Sequence, residues 1–485
     1  MVKALFIALC TVLGSAALAQ DTVQHIAYGT PGTEIGVRAI PTESNLYLFG
    51  STGGVGAGQS DIYIIKLDTA FEPMEFVPIG NHGIETLRCV EYDSMSNLFV
   101  LAAVVYDGFS ASDYDVQLYV VDENLELIRT KRLNNFGNDD AISLSLDSNE
   151  ISLFIERQIE DDLYKHSRFD LELNLIDDFE LQMDSFHLAD HIIKDSELHI
   201  LGDGIPADSS ERNIVHMKID ASGEILSQAN FGWTNSEIAS HMMIMSDSTW
   251  LFTGSTNSLD SEGDYDAYLA KVNNADSIIW QVSMGHSTTV TNQDDYGVES
   301  FEHSDGTIYI GMSTRTFGKP VDFHLYNYSS GGNFINGTSF GLERDEHLTS
   351  SAFLADSSYI MFGTTESFGA GQEDFILVHT TSVKKTTSLG YSEIEDDQNA
   401  SNQAAGTQTN KFNNLTVKNE LDEWVIAHSR KFSGSMTLYN LLGQEVWRRE
   451  VFSEGVTRIP KFQSPVILEL YDSRSNAYKR IKLVK

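Results

Sequence analysis

Short apolar runs ending in a small residue punctuate this chain at a period near 50 residues, and the run returns seven times. The regular copies are LYLFG at 46–50, LHILG at 198–202, WLFTG at 250–254 and YIMFG at 359–363. LFVLA at 98–102, ISLFI at 151–155 and TIYIG at 307–311 are degenerate versions. Eleven to fifteen residues further on, an acidic residue opens a second run: Asp61, Asp115, Asp170, Asp266, Asp322 and Asp374, with Asn213 in the fourth slot. Each unit then closes on an apolar or aromatic residue followed by Gly, as in Tyr28-Gly29, Ile79-Gly80, Phe136-Gly137, Phe231-Gly232, Met284-Gly285 and Phe340-Gly341. Met183-Asp184 is the eroded copy.

Four short strands fit within one unit, and no unit carries a run at helical spacing. A four-stranded repeat of this length is a propeller blade, and seven blades close a ring. A β-solenoid is the competing architecture. The last copy stops after its third strand, DFILVHTTS at 374–382, while QHIAYG at 24–29 stands alone as an orphan fourth strand. Pairing these two segments closes the ring and removes an open edge.

The first twenty residues place a Lys before an apolar run and end on Ala17-Leu18-Ala19, so residues 1–19 read as a signal peptide with the mature chain starting at Gln20. Leu9 stands where a lipoprotein acceptor at Cys10 would need a small residue. After cleavage only Cys89 remains, which excludes an intramolecular disulfide. No other stretch has the length of a membrane span, so the expected protein is exported, secreted or held at the outer-membrane surface after passing the periplasm. With 70 Asp and Glu against 32 Lys and Arg, the net charge of −38 argues against nucleic acid or an anionic bilayer as a partner. Residues 412–485 carry 12 basic and 8 acidic side chains, +4, which leaves −42 on the rest. That change of sign marks a separate domain.

The expected layout is therefore a propeller over 20–382, a polar flexible linker over 383–411, and a small C-terminal β-sandwich, Ig-like, over 412–485. The tail resembles the C-terminal sorting domain of proteins exported by the type IX secretion system of Bacteroidetes. The resemblance rests on MTLYNLLGQEVWRRE, on the strand ILELYDS and on the terminal basic strand KRIKLVK. Lys418-Asn419-Glu420 stands where that family has its P-N-P opening, and Ser464-Pro465-Val466 replaces its G-x-Y. The resemblance implies recognition of residues 412–485 by that export machinery, and either removal of the tail with surface attachment or release. The repeats, for example GSTGGVGAGQSDIYIIKLD at 50–68, are similar to propeller repeats of secreted bacterial proteins, a family without one assigned activity.

Candidate chemistry is sparse. The loops Gly53–Gly58 and Gly369–Gly371 precede strands, whereas a phosphate cradle needs a helix N-terminus, so they read as turns. The acid repeated once per blade reads as a short side chain accepting loop amides. Asp260, Glu262, Asp264 and Asp266 alternate as calcium ligands do, and Asp107, Asp113 and Asp115 form a smaller set; neither has the full loop signature, so calcium stands as a candidate cofactor beside a solvated acidic loop. No HExxH or G-x-S-x-G occurs. His187 and His191 lack an evident third ligand; Trp233, Trp250 and Trp280 offer sugar-stacking faces, though the last two fall inside strands and read as packing. Carboxylates remote in sequence can still meet across blades. The preferred function is a binding or interaction module for a glycan or protein, with a polysaccharide hydrolase or lyase at the central channel and a structural surface component as alternatives. No residue is singled out as catalytic.

Overall fold

The computed structural model describes residues 23–381, apart from the segments 107–113, 134–136, 148, 158–162, 184, 196, 207–209, 233–234, 259–263, 286–293, 316–319 and 342, together with the backbone of seven strands between Leu415 and Leu483. All regular elements among these residues are β-strands, and no helix long and apolar enough to cross a membrane occurs among them.

Blade 1 comprises Glu34–Pro41, Leu46–Thr52, Asp61–Leu67 and Pro73–Ile79, hydrogen-bonded in that order from the axis outward. Blades 2 to 6 repeat the pattern from the inner strands Ile84–Asp93, Asp139–Asp147, Phe186–Lys194, Glu237–Ile244 and Asp295–Glu302. Blade 7 takes Glu346–Phe353, Tyr359–Thr365 and Asp374–Thr380 from the end of the repeat region and its outer strand, Val23–Tyr28, from the start of the chain. That strand runs antiparallel to Asp374–Thr380, with Val23 opposite Thr380 and Tyr28 opposite Phe375. Inner strands of successive blades lie side by side, the last against the first. The chain is an all-β, seven-bladed propeller closed by strands from both ends of the repeat region.

Each blade is covered by a neighbour on both faces, so its two middle strands are buried on both sides. Leu46–Thr52, Trp250–Thr256 and Tyr359–Thr365 are buried at every position. This is why the sequence shows continuous apolar runs there and not an alternation. The core is accordingly a set of slabs between blades: Ile62 and Ile64 of blade 1 pack on Phe99, Leu101 and Ala103 of blade 2. Trp250 and Phe252 of blade 5 pack on Leu201 and Phe231 of blade 4. Each such side chain contributes about 1.5–3 kcal/mol. The outer strands are the free edges, and in blades 1 to 6 a register break near the start of the outer strand, as between Val120 and Val121 opposite Leu127, bends that edge away from further pairing.

One marker falls elsewhere than its spacing implies. Asp61, Asp115, Asn213, Asp266 and Asp374 open the third strands of their blades, but Asp170 ends the strand Leu163–Asp170. Its carboxylate accepts the Asn174 amide at 2.8 Å, as Asp68 accepts the Glu72 amide at 2.9 Å and Asp122 that of Glu126 at 2.8 Å, in the turn at the other end of the strand. Two acids seven residues apart bracket the third strand, as Asp61 and Asp68 or Asp115 and Asp122 do, and in blade 3 Leu163 replaces the first of them. Spacing alone then selects the survivor.

In the tail, Leu415–Asn419, Glu423–His428 and Gly455–Pro460 form a three-stranded sheet. Gly434–Tyr439, Glu445–Val451, Val466–Asp472 and Ala477–Leu483 form a four-stranded one. Propeller and tail strands belong to separate compact units.

Removal of residues 20–28 is expected to lower the thermal midpoint by more than about 10 °C, because Ile26, Ala27 and Tyr28 are buried and the ladder to blade 7 is lost. A synthetic peptide of residues 20–29 added in trans should restore part of that loss in a circular-dichroism melt; an unchanged midpoint in the truncated chain would show that closure does not stabilise the ring.

Candidate functional site: a polar ring on the propeller axis

The acids of the repeat meet in pairs where one blade passes to the next. Glu34 opens blade 1 and accepts hydrogen bonds from Thr30 N (2.7 Å), Thr30 Oγ1 (2.5 Å) and Thr52 Oγ1 (2.6 Å). Beside it Asp374 of blade 7 accepts the amides of Ala370 (3.2 Å) and Gly371 (3.1 Å), as Asp61 accepts those of Ala57 (3.3 Å) and Gly58 (3.0 Å). A Cβ on Gly29 would lie 1.4 Å from Asp374 Oδ1 and 2.9 Å from Glu34 Oε2, so only glycine fits between the two carboxyls. Burial first, and the neighbouring Glu34 carboxyl as well, push the Asp374 carboxyl up to about 6. The repeated acid is thus a structural device, and the Gly-rich loops that feed it are inter-strand turns.

Between blades 4 and 5 Asn213 stands in for the aspartate beside Glu237, and one junction has neither acid. Between blades 3 and 4 the paired positions are Leu163 and Phe186, and about five residues further along these strands a chain of hydroxyls and imidazoles links the two blades. Ser143 Oγ lies 2.8 Å from His191 Nδ1, Ser152 Oγ lies 2.8 Å from His191 Nε2, and Ser152 Oγ lies 2.7 Å from His166 Nε2. Burial holds the His191 ring well below the ordinary histidine range, so it is neutral and serves as a fixed hydrogen-bonding plate. His187, by contrast, is exposed and stands 3.1 Å from an Arg212 nitrogen, so the two histidines do not share a site.

The proposed calcium residues are only partly placed. Asp260, Glu262, Asp107 and Asp113 lie outside the described residues; Asp264 is described in the loop, and Asp266 is buried at its strand start against Gly285, where a Cβ would come within 1.7 Å of its carboxylate. Among the described residues no group of three or more His, Cys, Asp or Glu is placed to hold a metal ion. Trp233 lies outside the described residues, Trp250 is buried between blades 4 and 5, and Trp280 donates to the Ser330 carbonyl of blade 6 at 3.0 Å.

What sequence reasoning did not single out lies on the axis. Every inner strand breaks register at the same point: between Gly36 and Arg38, Leu87 and Cys89, Ala141 and Ser143, Leu188 and Asp190, Ala239 and His241, Gly297 and Glu299, and Leu348 and Ser350. A bulge leaves one residue unpaired and re-aims the next. Seven bulges in register therefore set Arg38, Cys89, Ser143, Asp190, His241, Glu299 and Ser350 at one level. Several of them latch the following blade. Ser350 Oγ accepts Ala39 N at 2.8 Å, Asp190 Oδ2 accepts Met242 N at 3.0 Å, Glu299 Oε2 accepts Ser351 N at 3.0 Å, and Cys89 Sγ donates to Ile142 O at 3.5 Å.

Arg38 and His241 make no such latch. An Arg38 nitrogen lies 3.7 Å from Glu91 Oε1 and 3.6 Å from Glu299 Oε1, and His241 Nε2 lies 3.9 Å from the same Glu299 oxygen. Arg38 interacts electrostatically with Glu91, Glu299 and Asp190 from blades 2, 6 and 4, a convergence that only a shared axis allows. Burial raises all three carboxyls, against the pull of Arg38, and Asp190 reaches about 7 despite the amides of Met242 and His191. His241 is driven down to about 3 by burial and by Arg38, and is neutral. Burial and Glu91 push the Cys89 thiol up to about 12, which makes it unreactive. Aligning the copies on the acid that opens the inner strand (Glu34, Glu85, Asp139, Glu237, Asp295, Glu346) would have found the ring, since it stands four residues later in every blade.

No protein-family model matches the chain, and no curated protein matches it either. Solved structures that resemble it include the β-propeller domain of the Trilobed protease from Pyrococcus furiosus, at 10% identity over 74% of this chain and 99% of that one, with a TM-score of 0.43. The periplasmic gluconolactonase of Pseudomonas aeruginosa aligns at 9% identity over 86% of this chain and 99% of its own, with a TM-score of 0.47. An acylaminoacyl peptidase from Pyrococcus horikoshii aligns at 9% over 83% of this chain and 59% of its own, with a TM-score of 0.41. At these identities the likeness says nothing of chemistry.

Two substitutions test the junctions. A carboxyl raised by folding stabilises the native state at low pH, and that contribution is lost as pH climbs through its folded value, here about 6 for Asp374. Between about pH 4 and pH 7, D374N should therefore gain roughly 2–3 kcal/mol relative to wild type in denaturant unfolding, whatever its offset; a constant gap across that range would rule out a proton held by the pair. S152A strips a partner from both His191 and His166 and should cost about 2–3 kcal/mol, while a cost below about 0.5 kcal/mol would mean that the network does not clamp blades 3 and 4.

Proposed function

We propose that the protein is an exported β-propeller binding module that holds a glycan or protein ligand at its axis. One observation carries this reading: where a position builds the blade, most copies agree, and where it faces the axis, they differ. The inner strands open on an acid in six blades of seven, yet four residues later stand Arg, Cys, Ser, Asp, His, Glu and Ser. A ring serving only as a latch needs an acceptor in each blade, which Ser350, Asp190 and Glu299 supply and Arg38 cannot. Individual specialisation at one level of a repeat is what recognition of an asymmetric ligand requires.

Export is part of the same proposal. It draws on the signal-peptide pattern of residues 1–19, the polar linker over 383–411, and the resemblance of residues 412–485 to type IX sorting domains, whose two sheets we read as the halves of an Ig-like sandwich. Calcium held by Asp260, Glu262, Asp264 and Asp266 is part of the same proposal. A second reading, a polysaccharide hydrolase or lyase at the same ring, draws on Asp190, whose carboxyl at about 7 lies where a proton donor at neutral pH works best.

A glycan array probed with the mature full-length chain and with R38A, each with calcium and with chelator, tests the proposal. Selective binding by wild type, weakened at least about tenfold in R38A, supports the axial site. Binding that survives R38A but is lost in chelator moves the site to the acidic loop. Chain cleavage of a bound glycan, lost in D190N, would replace the binding reading with the enzymatic one.

A further inference from the structure

The Arg38 side chain is 37% exposed and, among the described residues, donates no hydrogen bond. Its nearest carboxylate oxygens, Glu299 Oε1 at 3.6 Å and Glu91 Oε1 at 3.7 Å, stop short of hydrogen-bonding distance. Glu299 is 6% exposed; its Oε2 is taken by the Ser351 amide, and its Oε1 is in no hydrogen bond. The charges thus stand within ion-pair range but without a hydrogen bond, which leaves guanidinium N–H groups and Glu299 Oε1 open to an oxygen that sits beside the pair and bonds to both. The ring is mixed in sign, with one guanidinium among three carboxyls and a histidine.

We infer that the axial site takes a neutral, polyhydroxylated ligand, a sugar unit whose adjacent hydroxyls accept from Arg38 and donate to Glu91 and Glu299; this rests on the axial binding reading above. A hydroxyl is the common ligand group that donates and accepts at once, so it satisfies both sides of the pair. An anion would meet three carboxyls at the cost of desolvating itself, and a cation would meet the guanidinium, so either charged class loses on one side what it gains on the other. Hydrogen bonds to charged partners are the stronger kind, which gives a small ring of this sort selectivity.

Calorimetric titration of the full-length mature chain with three oligosaccharide classes decides the matter: neutral hexose oligomers, uronic-acid oligomers and amino-sugar oligomers, each at about 0.05 and 0.5 M salt. The expected result is binding of a neutral oligomer with affinity unchanged by salt, weakened about tenfold or more in R38Q and less in E299Q, which keeps an acceptor at Oε1. Thermal melts of both variants separate lost contacts from lost fold. Preference for a charged oligomer that fades at high salt and is lost in R38Q overturns the neutral-sugar assignment and leaves the axial site standing. A neutral oligomer bound equally by R38Q places the sugar elsewhere and overturns both, and failure of all three classes to bind overturns the sugar assignment.

Discussion

The antiparallel pairing of Val23–Tyr28 with Asp374–Thr380 is the contact on which the rest of the molecule depends. A propeller blade is covered on both faces only while the ring is closed. Without that ladder, blade 7 keeps three strands and its outer middle strand becomes a free edge. The contact joins residues some 350 positions apart, so it forms late and against a large loop-closure entropy. What makes it worthwhile is that closure brings Glu34 against Asp374 and the inner strand of blade 7 against that of blade 1, completing both the junctions and the axial ring at one stroke.

Between blades the chain uses polar glue where a soluble domain more often uses apolar packing alone. A carboxyl pair wrapped on a glycine and threaded with threonine hydroxyls fixes the height at which one blade meets the next, because the bonds are directional and apolar contact is not. The cost is a buried charge, reduced by holding a proton. Blades 3 and 4 show that this solution is dispensable: Leu163 and Phe186 do without the carboxyls, and further along the same strands the Ser143, His191, Ser152 and His166 chain links the two blades using groups that stay neutral. The high net negative charge of the chain is thus partly an architectural matter and only partly a surface property.

The axial ring follows from the same economy. In blades 1, 5 and 7 the amide just past the bulge is accepted by a side chain from the preceding blade, which is a complete structural role for Ser350, Asp190 and Glu299. That role does not extend to Arg38, whose charge is balanced at a distance by Glu91 and Glu299 without a hydrogen bond, nor to the neutral ring of His241. The difference between the latched and the unlatched members separates what the ring does for the fold from what it offers a ligand.

The sequence by itself determined the blade count, the four-stranded unit, the closing strand and the role of the repeated acid, because middle strands buried on both faces leave an unbroken apolar signature every 50 residues or so and the turns leave fixed acids and glycines. It misplaced Asp170, since two acids seven residues apart share one spacing signal once Leu163 has replaced the first. Only the tertiary structure decided that Arg38, Glu91, Asp190, His241 and Glu299 are neighbours. They are scattered over five blades, each looks like an ordinary polar residue within its own strand, and it is the rotation of one blade onto the next that brings them to a common axis. Local pattern encodes the unit; the meeting of units is a property of closure, and the candidate site exists only there.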